Sequence, residues 1–350
     1  MNFQQIAKIT TIALAAVFLQ AQPAPRSGPG VQAPQDSREP DVLKTCKVPP
    51  PVPAGRGPGG AGRGPAPAAC PREYTVAAIP NVIAAGQQWK EFWKVDGNNA
   101  DGIIGTKDGG LLVAQNDKSA VVKLDKNGKE SVAYNGTNTG GALSQTSKGV
   151  LYLNNRGLNA EIVELAPKRR TFANKINGDS FDCIGGVLND LMADSKGGVY
   201  FTQGGLFYAN AKGEVTKYGT DLRTNGLMLS RDEKTLYVTN GPSVVALDVQ
   251  ADGSLTNQRE FSKWEGGTGG DGISIDTEGR IYVTGNPGVH VIAPDGKYLG
   301  LIPTPRSLIS AAFSGKDKKT LYVVARDNAT NQDWIYGIQM LSQGFKGRAK

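Results

Sequence analysis

The sequence predicts an all-β protein, a six-bladed β-propeller, preceded by an N-terminal disordered tether. The first observation is a repeated unit, in which a polar head residue opens an apolar strand and a second strand reaches an aromatic or aliphatic marker about eleven or twelve residues later. Six such units follow one another at intervals of roughly 35 to 50 residues, which is the length of a four-stranded blade. The second observation is composition, because 46 glycines among 350 residues are typical of a turn-rich β protein.

The clearest copy of the unit runs from Gly270 to Val283. Ile273 and Ile275 alternate along the first strand, a polar Gly turn follows, and the second strand returns to Val283. The heads of the six units are Asp101, Gly141, Asn189, Asn225, Asp271 and Ser310, and the markers are Leu112, Tyr152, Tyr200, Tyr237, Tyr282 and Tyr322.

The head residues are expected to form a ring, because the innermost strand of every propeller blade lines the central channel. Four heads carry carboxylate or amide oxygens: Asp101, Asn189, Asn225 and Asp271. Such oxygens suit a hard divalent cation, and two carboxylates would balance its charge. The pattern therefore predicts a channel metal site, with calcium first and magnesium, manganese or zinc as alternatives. The competing interpretation is that Asp-Gly and Asn-Gly pairs only mark tight turns.

The N-terminal residues predict export. Residues 1–21 resemble a signal peptide, with basic Lys8, an apolar run from Ile9 to Leu19 and a small residue, Ala21, near the cleavage point. The apolar run is too short to span a bilayer, which needs about 20 residues. We therefore expect a periplasmic or extracellular protein without a stable membrane span after signal cleavage.

Residues 22–73 form a Pro-, Gly- and Ala-rich linker that is predicted to be semi-extended. Cys46 and Cys70 lie in this linker, and in an oxidising compartment they could pair as a disulfide, an alternative that the sequence leaves open. Cys183 would then be a buried small side chain. The propeller domain is predicted to span residues 74–350.

Charge argues against a nucleic-acid partner. The formal net charge is +7, but residues 1–73 hold eight basic and four acidic side chains, so only about +3 remains for the propeller. Before the first unit, the segments Ala78–Ala85 and Trp89–Val95 are predicted to be strands. One of them is expected to pair beside Trp334–Gln339 and so close the ring.

Three segments carry a family resemblance: Asn189–Thr202, Thr224–Val238 and Gly270–Asp276. In order and spacing they resemble the gluconolactonase and senescence marker protein (regucalcin-like) family. The resemblance implies a six-bladed propeller with one divalent cation in its channel. It also implies that Asp101, Asn225 and Asp271 are ligands, with Asn189 on the metal or beside it. Asp101 stands where the family usually has glutamate and is one methylene shorter, so the position and affinity of the metal are expected to differ.

The chemistry expected of this site is the hydrolysis of lactones or related small esters. A channel cation would polarise the carbonyl and activate water, and Asp271 is the expected base; Asp190 is a weaker candidate. His290, the single histidine, is expected to be a surface or packed side chain in the fifth blade. The alternative function is a non-catalytic propeller that binds a ligand or a protein around a structural calcium. No nucleotide or haem cofactor is expected, and neither protein partners nor oligomeric state is predicted.

Overall fold

The computed structural model describes residues 36–48, 50, 71–95, 100–265, 269–330 and 332–350. The predicted signal peptide and most of the predicted linker, including Cys70, lie outside these residues. The described chain forms six antiparallel sheets of four strands each, which confirms the predicted six-bladed propeller. No helix among the described residues is both long enough and apolar enough to cross a bilayer.

Each of the first five blades is a four-stranded meander that runs outward from the channel. The innermost strands of the six blades are β2 (Ala100–Gly105), β6 (Leu143–Gln145), β12 (Leu191–Ala193), β16 (Thr224–Leu229), β20 (Ile273–Ile275) and β24 (Ser307–Ser314). The second strands are β3 (Leu111–Gln115), β7 (Leu151–Asn155), β13 (Val199–Thr202), β17 (Thr235–Asn240), β21 (Ile281–Thr284) and β25 (Thr320–Asp327). The third strands are β4 (Ala120–Leu124), β8 (Glu161–Ala166), β14 (Leu206–Ala209), β18 (Ser243–Val249), β22 (Gly288–Ile292) and β26 (Gln332–Gln339). The outermost strands are β5 (Glu130–Asn135), β9 (Arg170–Ala173), β15 (Val215–Tyr218), β19 (Leu255–Lys263), β23 (Tyr298–Pro303) and, in the sixth blade, β1 (Lys90–Lys94).

The ring closes through β1, which lies in one of the two segments that the sequence offered for this role. This strand pairs antiparallel with β26, so that Lys90 lies opposite Gly337 and Lys94 opposite Trp334. The other N-terminal segment, Ala78–Ala85, is not a strand. It forms a turn held by an isolated bridge between Ile79 and Ile83, and its apolar side chains pack against the fifth and sixth blades.

The hydrophobic core lies between neighbouring blades, and the marker residues of the second strands contribute to it. Tyr200 and Tyr282 are fully buried, yet both hydroxyls donate hydrogen bonds. The Tyr200 hydroxyl donates to the Gly253 carbonyl oxygen of the next blade at 2.7 Å, and that of Tyr282 to Asp276 at 2.8 Å. A buried tyrosine needs such a partner, so these rings join apolar packing to a specific contact.

Residues 342–350 cross the channel at the end remote from the head residues. Gly344 pairs with Asp276 at the end of the fifth inner strand, and Ala349 pairs with Gln145 at the end of the second. The Arg348 guanidinium donates to the carbonyl oxygens of Leu229 and Ser230 at 2.5 and 2.7 Å. This segment, the C-terminal strap, therefore joins three inner strands and closes one end of the channel.

The predicted linker is partly structured where it is described. Residues 39–43 form helix α1 (Glu39–Leu43), and Cys46 is bonded to Cys183. The open pairing of Cys46 with Cys70 is therefore wrong, as is the interpretation of Cys183 as an unpaired buried side chain. The sequence alone could not place Cys183 near the linker, because 137 residues separate the bonded cysteines.

Cys183 lies in the insertion between the second and third blades. This insertion holds the short hairpin β10 (Lys175–Ile176) and β11 (Asp179–Ser180), followed by a 3-10 helix, Phe181–Ile184. Lys47, next to Cys46, donates from its ammonium group to the Asn177 carbonyl oxygen at 2.7 Å. The disulfide thus fastens the linker to the rim of the propeller.

Digestion of the unreduced protein should yield one cross-linked pair of peptides containing Cys46 and Cys183, with Cys70 open to alkylation. Cys46→Ser should lower the free energy of unfolding by about 2–4 kcal/mol, because the cross-link limits the freedom of the unfolded chain. Cys70→Ser is the matched control and should leave stability unchanged. A cross-linked peptide containing Cys70 would contradict this pairing.

Candidate functional site

A cavity of about 510 Å³ opens at the end of the channel where the inner strands begin. All four predicted ligand residues line it: Asp101, Asn189, Asn225 and Asp271. Gly269 and Gly270, which precede the fifth inner strand, form part of its wall. The structure therefore brings the four predicted side chains together, although they come from four different blades.

Two of the four predicted ligand residues lie at irregularities of their strands. The register of β2 against β3 shifts between Ala100 and Ile103, and that of β16 against β17 shifts between Thr224 and Leu227. A bulge of this kind re-aims one side chain, here Asp101 or Asn225.

The glycines that follow these heads are not turn residues. A Cβ on Gly226 would overlap the backbone of Asp271, and one on Gly102 would overlap the backbone of Gly141, in each case in the next blade. Neither glycine has a positive φ. Glycine is required because the inner strands converge closely around the axis, which excludes the tight-turn interpretation at these two positions.

Asp271 is the least compensated acidic group of the cavity. Burial raises its pKa well above the ordinary value, and the negative charges of Asp101 and Asp190 raise it further. Among the described residues, no side chain donates a hydrogen bond to its carboxylate, while its backbone N–H donates to the Thr284 carbonyl oxygen at 2.7 Å. A carboxylate in this state has an increased affinity for a proton or a cation.

Asn225 has a fixed backbone and an unsatisfied side-chain oxygen. The Thr202 hydroxyl of the preceding blade donates to its carbonyl oxygen at 2.6 Å, and its own N–H donates to the Thr239 hydroxyl at 3.2 Å. Its Oδ1 is buried and has no hydrogen-bond partner among the described residues. Such an oxygen is ready to accept a hydrogen bond from a ligand or to bind a cation.

Arg156 is a site residue that the sequence analysis missed. It follows β7, and its side chain is 4% exposed and paired with Asp101. Its Nη2 donates to the Asn189 carbonyl oxygen at 2.5 Å and lies 3.2 Å from Asn189 Oδ1, while its Nε donates to the Leu188 carbonyl oxygen at 2.9 Å. One guanidinium group thus engages two of the four predicted ligand residues.

Arg326 is a second arginine that was missed. It lies near the end of β25 and lines the cavity, where its charge lowers the pKa of Asp271. Asp333 holds it from the neighbouring strand, with Nε–Oδ1 and Nη2–Oδ2 distances of 2.7 and 2.8 Å. Asp333 Oδ2 also accepts the N–H of Ala100 at 2.7 Å, so the same carboxylate fixes the backbone beside Asp101.

A sequence signal for both arginines existed. Arg156 directly follows the second strand β7, and Arg326 is the last residue but one of the second strand β25. Because the second strand pairs antiparallel with the inner strand, its end lies beside the beginning of the inner strand, where the cavity opens. A charged residue at that position is therefore directed towards the site.

Asp190 lies beneath the cavity and acts as an internal acceptor. It accepts the N–H of Leu227 at 2.9 Å and pairs with Lys350 of the C-terminal strap, whose side chain is 7% exposed. The Lys350 ammonium group also donates to the Leu227 carbonyl oxygen at 2.5 Å. These contacts engage the carboxylate of Asp190 with the backbone and the strap.

His290 lies behind the cavity wall on β22. Its ring stacks on Trp264 with centroids 4.6 Å apart, and its Nδ1 is 3.1 Å from the Tyr298 hydroxyl. The side chain is 1% exposed, and burial lowers its pKa to about 4. His290 is thus a packed, neutral histidine, as expected.

A sequence model of the family described as "SMP-30/Gluconolactonase/LRE-like region" matches residues 131–326, more than half of the chain. A gluconolactonase from Zymomonas mobilis is 31% identical over 171 residues, a match that covers 40% of this chain and 48% of the relative. The chain spans about half the length of the curated relatives it matches.

Two solved structures share the fold. A gluconolactonase from Xanthomonas campestris has a TM-score of 0.65 at 18% identity, and covers 77% of this chain and 96% of its own. A regucalcin from Agrobacterium tumefaciens, described as a calcium-binding protein, has a TM-score of 0.58 at 19% identity, with 74% and 96% covered. These matches support the architecture.

Lys350→Met should lower the free energy of unfolding by about 3–5 kcal/mol, because it leaves the carboxylate of Asp190 buried without its cation. Chemical denaturation measures the change. Lys346→Met, at an exposed position of the same strap, is the control and should have little effect. Equal stability of the two variants would mean that the strap does not hold the channel closed.

Stability should fall as the pH falls from about 6.5 to about 4, because unfolded His290 takes up a proton at its ordinary pKa and folded His290 does not. From about pH 7.5 to about pH 5, this one group should remove about 2 kcal/mol of unfolding free energy. His290→Phe, which keeps the stacking on Trp264, should lose less stability over that interval. If the stability of both proteins depended on pH in the same way, His290 would not be the group responsible.

Proposed function

This chain belongs to the SMP-30/gluconolactonase/LRE-like family, and from that premise we propose that it hydrolyses lactones or related small esters in the channel cavity. The observation that carries the proposal is the state of Asp271, a carboxylate with a raised pKa in a cavity of about 510 Å³. That volume suits a small molecule. The names of the relatives, gluconolactonase and lactonase, support the same class of substrate.

Asp271 is the proposed general base. Its carboxylate takes a proton from a water molecule as the water oxygen attacks the lactone carbonyl carbon. Negative charge develops on the carbonyl oxygen, and the guanidinium groups of Arg326 and Arg156 in the cavity wall stabilise it. The ring C–O bond then breaks, and the leaving oxygen takes the proton back from Asp271. The product is the open-chain hydroxy acid.

The expected divalent cation fits this arrangement poorly. Calcium takes roughly six to eight oxygen ligands. In the structure an oxygen of Asp101 is bound to Arg156, and Oδ1 of Asn189 lies 3.2 Å from the same guanidinium. Two groups remain that could bind a cation through oxygen, Asn225 Oδ1 and the carboxylate of Asp271. Neither makes a side-chain hydrogen bond among the described residues. The calcium-binding regucalcin supports a cation in that relative. In this chain we assign no step of the reaction to a metal.

We also propose that the protein is exported and works in a periplasm or outside the cell. The disulfide between Cys46 and Cys183 supports an oxidising compartment. The signal-like residues 1–21 point the same way.

Asp271→Asn should reduce kcat on aldonolactones and aliphatic lactones by about 10²–10⁴-fold, because the amide cannot accept the proton of the attacking water. The acid released on ring opening measures the rate. Asp295→Asn, in an outer turn of the same blade, is the matched control and should keep the activity. If the folded wild-type protein opens none of these lactones, the channel is a ligand-binding site without catalysis.

The pH profile offers a second readout of the same assignment. The base acts in its deprotonated form, and its raised pKa means that this form is lost at a higher pH than for an ordinary aspartate. The acidic limb of kcat/KM should therefore lie clearly above about pH 4, the ordinary aspartate range. A limb in the ordinary range would assign proton transfer to another group.

A further inference from the structure

The second blade contributes a cation to the ring of head residues. Its own head is Gly141, the one position of the six without a side chain. A Cβ on Gly141 would overlap the guanidinium of Arg156, so the absent side chain is what allows Arg156 to extend into the ring. Arg156 therefore occupies the place that a side chain of the second head would take.

The guanidinium of Arg156 is held rigidly in that place. Nε and Nη2 donate to the carbonyl oxygens of Leu188 and Asn189 in the third blade, and Nη1 pairs with Asp101 in the first. The side chain is 4% exposed. Contacts from two neighbouring blades thus fix a permanent positive charge among oxygens that would otherwise be available to a metal ion.

The charges around the cavity are already nearly balanced without an added ion. Four carboxylates belong to this group: Asp271 itself, Asp101 and Asp190, which raise its pKa, and Asp333, which pairs with Arg326. Three cations accompany them: Arg156, Arg326 and Lys350. Three ion pairs use three of the carboxylates, and Asp271 is left. A divalent ion would change the net charge of this group from −1 to +1, and it would lie beside a guanidinium that repels it.

We propose that the guanidinium of Arg156 takes the place of a divalent cation in this channel. The side chain supplies the positive charge that holds Asp101 and Asn189 together, and it faces the cavity in which a substrate oxygen would gain negative charge. Only this last role rests on the proposed lactone hydrolysis. The contacts of Arg156 with Asp101 and Asn189 are present in the protein without substrate.

Isothermal titration with calcium chloride, combined with metal analysis of the purified full-length protein, tests the proposal. The wild-type protein should carry less than one equivalent of divalent metal and should bind calcium weakly. Arg156→Gln should bind calcium at least about tenfold more tightly, because it removes the repelling charge and releases an oxygen of Asp101. Arg156→Lys, which keeps the charge, should gain little.

Arg306→Gln is the matched control. Arg306 is also a buried arginine paired with an aspartate, Asp327, but it does not line the cavity. Its replacement should leave calcium affinity unchanged. A wild-type protein that carries one equivalent of metal, or an Arg156→Gln variant with unchanged calcium affinity, would overturn the proposal.

If Arg156→Gln does not fold, Asp101→Asn in the otherwise wild-type protein tests whether Asp101 is a metal ligand. If Arg156 already engages Asp101, this change should leave calcium affinity within about twofold of wild type. A loss of tight calcium binding would instead identify Asp101 as a metal ligand and overturn the proposal.

Hydrolysis in the presence of a chelator separates this inference from the proposed function. Lactone hydrolysis should continue unchanged when divalent ions are chelated. Complete absence of hydrolysis with and without metal would reject the proposed function, whereas the titrations would still decide the role of Arg156. Hydrolysis that stops with chelator and returns with calcium would reject the inference alone.

Discussion

The pairing of β1 with β26 is the interaction on which the rest of the structure depends. If the blades did not close into a ring, the edge of the sixth sheet would be unpaired and the first blade would not be held beside it. The closing strand removes that edge. Asp333 of β26 strengthens the closure from inside the ring, because one carboxylate holds both Arg326 of the sixth blade and the N–H of Ala100 in the first. The cavity is therefore shaped by contacts that join the two ends of the propeller.

Charge compensation is the second constraint on this channel. A carboxylate taken out of water is destabilised unless a cation or several hydrogen bonds accompany it. Three carboxylates have such cations. Asp101 and Asp333 pair with arginines at or near the ends of second strands, and Asp190 pairs with a lysine of the C-terminal strap. Asp271 has none of its own, and burial raises its pKa well above the ordinary range. Pairing of its neighbours thus leaves one carboxylate of the group without a cation of its own.

Much of the fold and part of the site could be predicted from the sequence. The six repeated units identified all inner and second strands, and the position of each head identified four side chains that do line one cavity. This worked because a blade is a local structure, in which strand and turn follow one another within a few residues. Arg156, Arg326 and Lys350 were not predicted. Arg156 and Arg326 lie at or near the ends of second strands, a signal that was not used, but the contacts that direct them to the ring come from other strands and blades. Lys350 is placed by the strap.

The sequence by itself therefore determined the number of blades and the ring of head residues, because these depend on periodic patterns of apolar residues and glycine. It also limited the closing strand to two N-terminal segments. The tertiary structure alone decided how that ring is used. It placed Arg156 in the space left by Gly141 and paired Cys46 with Cys183 across 137 residues. It also showed that the glycines after Asp101 and Asn225 admit a neighbouring backbone instead of making a turn. Each of these depends on how groups on different strands or blades approach one another in space, which periodicity does not encode.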